Sequence, residues 1–185
     1  MAAQVQQAAP EFTAKAVIGS DFRDIKLSDY RGQHIYLFFY PLDFTLVCPT
    51  EIIAFSERIA EFKRRNVQVL GVSVDSHYTH LAWKNTPRSQ GGLGNIDYPL
   101  ISDFSKQISK DYGVLWESEG FALRGSFLID QGGVVRHITV NPPLIGRSVD
   151  EALRVIDALQ FFEKNGEACG SDWKQGKSGI KLQSK

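Results

Sequence analysis

The apolar run Ile35-Tyr36-Leu37-Phe38-Phe39-Tyr40, leading into Pro41-Leu42-Asp43-Phe44-Thr45-Leu46-Val47-Cys48-Pro49-Thr50-Glu51, constrains this chain more than any other feature. The run has the length and composition of a strand buried on both faces. Beyond the cysteine, Ile52, Phe55, Ile59 and Phe62 recur at the spacing of one helix face, and the helix should end near Arg64-Arg65-Asn66. A second buried strand follows in Val67-Gln68-Val69-Leu70-Gly71-Val72-Ser73-Val74. Strand, crossover helix and strand make a βαβ unit, so these two strands should lie parallel. Cys48 therefore sits where a connection from a core strand enters a helix.

That position has chemical consequences. Pro49 suits the first helical residue, because its missing N–H is one the helix leaves unpaired. The Cys48 sulfur would then lie beside free backbone N–H groups and the positive end of a helix dipole, which favour a thiolate. Such a cysteine is compatible with a disulfide reductase, a thiol peroxidase or an inert core residue.

The rest of the chain supplies a sheet around the unit. Residues 12–17 and 22–27 alternate about Ile18-Gly19-Ser20-Asp21 and read as a hairpin. His80-Leu81-Ala82-Trp83-Lys84 suggests a short helix stopped before Pro87, followed by the glycine-rich loop 90–95. A short strand at 98–101 and a helix over 105–112 come next. Residues 126–130 and 134–140 flank Gln131-Gly132-Gly133 as a second hairpin. The last helix opens on a capping box, Ser148-Val149-Asp150-Glu151, and stops at Asn165-Gly166. A mixed sheet flanked by helices accounts for this order. A cysteine opening a helix after the first core strand is the thioredoxin-like placement. Position 51, however, holds Glu51 where a C-x-x-C redox protein has its second cysteine. Any thiol partner must come from elsewhere in the sequence.

Composition narrows the function. The 185 residues suit one ordinary domain with a full core. Lys plus Arg equals Asp plus Glu at 21 each, which gives no support to a nucleic-acid or anionic-membrane partner. No apolar stretch approaches the ~20 residues of a membrane span. The first residues, Met1-Ala2-Ala3-Gln4-Val5-Gln6-Gln7, lack a basic start and hydrophobic core, so they read as a short mobile arm, not a secretory signal, and the expected compartment is the cytoplasm. Only two cysteines occur, Cys48 and Cys169, without C-x-x-C spacing, so neither a disulfide framework nor a cysteine metal site is expected. His77-x-x-His80 lacks a third ligand and reads as fold or interface residues. Lys63-Arg64-Arg65 reads as a cationic helix end, and Trp83 and Trp116 as packing residues.

The residues from Phe39 to Glu51 resemble the peroxide site of a typical 2-Cys peroxiredoxin, of the thioredoxin peroxidase and alkyl hydroperoxide reductase C-like kind. The likeness extends to Gly71-Val72-Ser73-Val74-Asp75-Ser76-His77, to His80-Leu81-Ala82-Trp83, to Leu123-Arg124-Gly125-Ser126-Phe127-Leu128-Ile129-Asp130, to Gly146-Arg147-Ser148-Val149-Asp150-Glu151 and to Gly166-Glu167-Ala168-Cys169. It spans about residues 10–173. The resemblance implies a thioredoxin-like domain over 1–165, with a mixed central sheet and an N-terminal hairpin, and a tail over 166–185 carrying a resolving cysteine. It implies a thiol-dependent peroxidase acting on hydrogen peroxide and organic hydroperoxides. Cys48 would attack an oxygen and become a sulfenic acid. Thr45 would accept from the peroxide, or donate to sulfur or oxygen. Arg124 would hold the thiolate and polarise the leaving oxygen. Pro41 would cover the sulfenic acid, while Glu51 and Arg147 fix Arg124. This chemistry calls for no metal and no organic cofactor.

The same resemblance implies that Cys169 of the partner subunit resolves the sulfenic acid to an intersubunit disulfide in a head-to-tail homodimer. Cys48 on a folded helix start and Cys169 on a tail are not expected within the ~4.4–6.8 Å Cα separation a disulfide needs, so local unfolding should be part of the cycle. Thioredoxin or a flavoprotein disulfide reductase would restore the thiols. Five dimers would form a decameric ring, with the Phe44 loop and the Thr79 region near the ring contact. A ring-forming holdase chaperone or a peroxide-signalling module is the alternative role. Departures from the family pattern include Leu46 where phenylalanine is common and Gly170 where proline is usual.

Overall fold

The computed structural model describes residues 2–182. It has nine strands, β1 Thr13–Ile18, β2 Asp21–Lys26, β3 His34–Phe39, β4 Val67–Ser73, β5 Leu100–Ser102, β6 Leu115–Trp116, β7 Phe121–Ala122, β8 Arg124–Ile129 and β9 Val135–Asn141 among the described residues. The helices are α1 Cys48–Glu57, α2 Ile59–Arg64, α3 His77–Asn85, α4 Gln107–Asp111 and α5 Val149–Asn165. Seven strands form one mixed sheet in the order β2-β1-β5-β4-β3-β8-β9, and β6-β7 is a separate ribbon. β3 and β4 are parallel, as are β4 and β5, while β8 runs antiparallel to β3 and β9 to β8. This is the expected thioredoxin-like arrangement, a mixed central sheet flanked by helices.

The chain divides into two compact units, Met1–Arg147 and Ser148–Lys185. The first contains the whole sheet. Because side chains alternate along a strand, β3 serves two apolar layers. Leu37 and Phe39 join a core with Leu70, Val72, Tyr112, Phe127 and Ile129. Tyr36 and Phe38 point the other way, against α1, where Phe38 stacks on Phe55 at 4.9 Å and Tyr36 lies 5.4 Å from the same ring. Burying Phe55 fully contributes about 1.5–3 kcal/mol and fixes α1 over β3. Gly71 on β4 permits this packing: a Cβ there would come within 3.0 Å of the Phe38 ring.

Several expectations are corrected. The single helix expected after Cys48 is interrupted at Arg58 (φ −106°, ψ 13°), where α1 ends and α2 begins. Arg58 Nε donates to Glu61 at 2.8 Å across the first turn of α2, a local pairing that apolar spacing does not reveal. The N-terminal arm is tied down: Gln6 N donates to Val135 O at 2.7 Å, Val135 N to Gln7 O at 2.9 Å and Ala9 N to Gly133 O at 2.9 Å. Trp83 is buried as expected, but Trp116 is 41% exposed, edge-on to Phe121 in the β6-β7 ribbon.

The second unit is α5 and the segment after it. Ser148 Oγ accepts from Glu151 N at 3.2 Å, the cap read from the sequence. Gly166 adopts φ +66° and its N–H returns to Phe162 O at 2.8 Å, closing the helix. The tail then pairs with itself through a bridge between Ala168 and Ile180.

Candidate functional site

Cys48 is the first residue of α1, so Pro49 occupies the second helical position, not the expected first. No side chain caps this helix; the preceding Val47 is itself helical and its carbonyl takes Thr50 N at 3.1 Å. The strand end and α1 are joined by residues 40–47, which are anchored beside the strand end: Tyr40 Oη donates to Asp43 Oδ1 at 2.9 Å and Asp43 N donates to Asp75 Oδ2 at 2.9 Å. His80 on α3 completes this anchor. Its Nε2 donates to Ile101 O at 3.1 Å, and Nδ1 lies 2.7 Å from Asp43 Oδ2, so ring and carboxyl hold one proton between them. Burial pushes the Asp43 carboxyl up, partly offset by its bond to His80. Directly after this anchor Phe44 stands at φ +55°, a left-handed conformation that costs a residue with a Cβ about 1–2 kcal/mol.

The Cys48 sulfur is fully buried, and Arg124 Nη1 donates to it at 3.4 Å. Arg124 opens β8, two residues before the strand start expected from sequence, which places its guanidinium at the strand end beside α1. Its orientation is fixed twice: Nη1 donates to Glu51 Oε2 at 2.5 Å and Nε to Pro143 O at 2.7 Å. Glu51 lies one helical turn after Cys48. Its Oε1 also accepts from the backbone N and Nε of Arg147 at 2.7 and 2.8 Å, and its Oε2 from Arg147 Nη2 at 2.9 Å. Arg147 is held in turn by Phe39 O and Gly125 O at 2.7 and 2.8 Å, with its guanidinium 5.0 Å from the centre of the Phe38 ring.

Burial alone would push the Glu51 carboxyl up. The bonds and charge of Arg147, with the charge of Arg124, outweigh it and hold the group below its ordinary value. Two buried guanidiniums thus share one buried carboxylate, and a single positive charge remains facing the sulfur.

Of the residues singled out from sequence, Cys48, Glu51, Arg124 and Arg147 converge in this one cluster. Pro41 is buried at the start of the connecting segment, and half-buried Thr45 donates its hydroxyl hydrogen to Leu42 O at 2.9 Å. That bond corrects one expectation: the Thr45 proton is committed, leaving the oxygen as an acceptor. Leu46 is 91% exposed. Cys169 belongs to the second unit, half-buried, with its thiol 3.5 Å from Ala158 O. The Asp43–His80 anchor was not read from the sequence as part of the site. Its available signal was a histidine set among Leu81, Ala82 and Trp83, and an aspartate three residues after a buried tyrosine.

Comparisons with known proteins give concordant likenesses. Residues 5–138 match the AhpC/TSA family. The chain is 57% identical over 179 residues to Peroxiredoxin-2 of Mus musculus, covering 97% of this chain and 90% of that protein. It is 56% identical to the mitochondrial thioredoxin-dependent peroxide reductase of Drosophila melanogaster, over 93% of this chain and 74% of that one. Among solved structures, the reduced 2-Cys peroxiredoxin of Plasmodium vivax matches with a TM-score of 0.93 at 51% identity, covering 95% of this chain and 91% of that one.

Proposed function

The chain belongs to the AhpC/TSA family, the peroxiredoxins, as a thiol-dependent peroxidase, and on that premise we propose that Cys48 attacks peroxide from within the Arg124 cluster. One observation carries this reading: the 3.4 Å contact from Arg124 to the sulfur, made by a guanidinium already locked by Glu51. The single positive charge left by two arginines and one glutamate is complementary to a thiolate. The thiolate attacks one peroxide oxygen along the O–O axis; the S–O bond forms, the O–O bond breaks, and the leaving oxygen departs as water or an alcohol once protonated. Negative charge passes from sulfur to oxygen beside a fixed donor, so no reorganisation is needed at the moment of reaction. Thr45 accepts from the peroxide O–H, and buried Pro41 shields the resulting sulfenic acid. Arg147 and Glu51 keep Arg124 aimed.

The sulfenic acid then condenses with a thiol, giving a disulfide and water. In this reading that thiol is Cys169 of the partner subunit in a head-to-tail homodimer, with residues 1–165 acting as the peroxidase domain and 166–185 as the resolving tail. A fully buried Cys48 must first be uncovered. Two features ease this: α1 lacks a side-chain cap, worth about 1 kcal/mol, and Phe44 stores left-handed strain. Half-exposed Phe44 and the Thr79 region at the start of α3 are the surfaces for assembly of dimers into a decameric ring. Thioredoxin or a flavoprotein disulfide reductase returns the disulfide to thiols, a reading supported by the Drosophila relative described as thioredoxin-dependent. With only two cysteines, both free, a reducing compartment, the cytoplasm, fits. No helix among the described residues is long and apolar enough to cross a membrane.

Stopped-flow peroxide consumption tests the assignment. Cys48→Ser should abolish it, and equal rates would reject it. Cys169→Ser should be oxidised once without forming a covalent dimer on a non-reducing gel; a persistent dimer would remove Cys169 from the resolving role.

A further inference from the structure

Arg154, Ala158 and Phe161 succeed one another at helical spacing along α5 and so share one face. Each holds a different part of the tail. The Phe161 ring lies 4.7 Å from that of Trp173, Ala158 O receives the Cys169 thiol at 3.5 Å, and Arg154 Nη1 donates to Trp173 O at 3.3 Å. Before it meets the tail, the Arg154 guanidinium is oriented by a fork onto Glu151, with Nε and Nη2 at 2.6 and 2.7 Å from the two carboxylate oxygens. The return segment closes over this arrangement. Ala168 and Ile180 exchange hydrogen bonds of 2.9 and 2.8 Å, and Gly179 passes so near Phe161 that a Cβ there would stand 2.6 Å from the ring.

We propose that Arg154 is the positioning residue for Cys169: it docks the tail on α5 and keeps a permanent cation beside the sulfur as the thiol becomes a nucleophile. This rests on the resolving role proposed above for Cys169. The thiol as it stands donates to a carbonyl oxygen. Once its proton leaves, that carbonyl repels the sulfur, and a cation must take over. Arg154 is the charged group that acts on the sulfur; Arg154 itself meets Glu151 from the helix and Asp172 from the tail, while the Lys177 amine turns to the Asp172 carbonyl at 3.4 Å. Arg154 is the group that draws the Cys169 thiol downward, against burial, which pushes it up more strongly. In the resolving step the Cys169 thiolate attacks the Cys48 sulfenic sulfur. The S–S bond forms, the S–O bond breaks and hydroxide leaves to become water, so Cys169 is oxidised and Cys48 reduced.

The test titrates Cys169 directly. In Cys48→Ser it is the sole thiol of the chain, and its alkylation by iodoacetamide can be followed against pH. Adding Arg154→Met should raise the midpoint by roughly half a pH unit, the scale of an exposed charge pair. Arg154→Lys, which keeps the charge, should leave it near the parent value. With Cys48 present and one equivalent of hydrogen peroxide, the disulfide-forming phase should slow about twofold in Arg154→Met below the midpoint: about threefold less thiolate, partly offset by a more basic and better nucleophile. An unchanged alkylation midpoint in Arg154→Met overturns the proposal. So does a disulfide phase slowed equally at every pH, which would make Arg154 a tether alone. The alkylation arm uses no peroxide, so a Cys169 that responds to Arg154 yet forms no disulfide would count against the resolving role and not against this pairing.

Discussion

The two sulfurs of this chain live in opposite kinds of surroundings. Cys48 begins a helix, is wholly buried, and faces a guanidinium held by one carboxylate that a second guanidinium also holds. Cys169 sits half-buried in the tail beside the Ala168 bridge, meets a carbonyl at 3.5 Å, and has its nearby arginine tied to an exposed glutamate. The difference matches the chemistry each would perform. A sulfur that meets a small peroxide benefits from fixed charges in a dry site, since a small molecule can come to it. A sulfur that must reach another protein sulfur needs freedom to move, and weak, replaceable contacts provide it.

The largest effect should come from the carboxylate that ties the Cys48 cluster together. Glu51→Gln leaves Arg124 and Arg147 buried without their counter-charge, and breaking a buried pair this way costs about 3–5 kcal/mol. Urea unfolding of the reduced protein at neutral pH would read it. The pH dependence sharpens the point. The folded Glu51 carboxyl lies below its ordinary value, so its contribution is fully present above the unfolded value of about 4.3 and is lost as pH falls through the folded one. The parent chain should therefore lose stability on acidification more steeply than Glu51→Gln. Parallel pH profiles would mean that the cluster is not held by this charge.

Next in size is the effect on rate. Arg124→Met removes the donor facing the sulfur while keeping much of the bulk, and oxidation of Cys48 should slow by about 10²–10³-fold, as for loss of one preorganised donor. Alkylation of Cys169 in a Cys48→Ser, Arg124→Met chain should not change. If Arg124→Met lowers the peroxide rate less than tenfold, burial and the helix start would be sufficient activation, and the contrast between the two sulfurs would shrink to one of accessibility.

How far these sites were legible in the sequence follows from the range of the interactions. The βαβ unit, the placement of Cys48 at its helix start and the absence of a local second thiol were readable, because strand and helix periodicities are local. Arg124 and Arg147 were not readable in that way. They reach the cluster over 76 residues to Cys48 and 96 to Glu51, and only the family resemblance singled them out. The break at Arg58 was missed because Ile52, Phe55, Ile59 and Phe62 keep their helical spacing across it. The N-terminal arm looked mobile because its pairing with residues 133–135 runs through backbone groups, with the Gln6 side chain adding a long-range bond from Arg136, and composition registers neither. The Asp43–His80 anchor combined both difficulties: a long-range contact between two residues that each had an ordinary local reading.

The smallest expected effect tests the mobile side of the comparison. Trp173 Nε1 donates to Lys177 O at 3.1 Å while its ring packs on Phe161. Trp173→Phe keeps a ring for that contact and removes the hydrogen bond, a loss of about 1 kcal/mol. If the tail opens locally, that loss should shift its open fraction roughly fivefold, and Cys169 alkylation in the Cys48→Ser chain should accelerate by up to that factor. The urea midpoint should move much less than in Glu51→Gln. Arg154 bonds the backbone carbonyl of residue 173, so its hold on the tail survives the substitution and limits the gain. An alkylation rate unchanged by Trp173→Phe, with the midpoint lowered, would show that the reagent reaches Cys169 without the tail opening. The two sulfurs would then differ in charge but not in mobility.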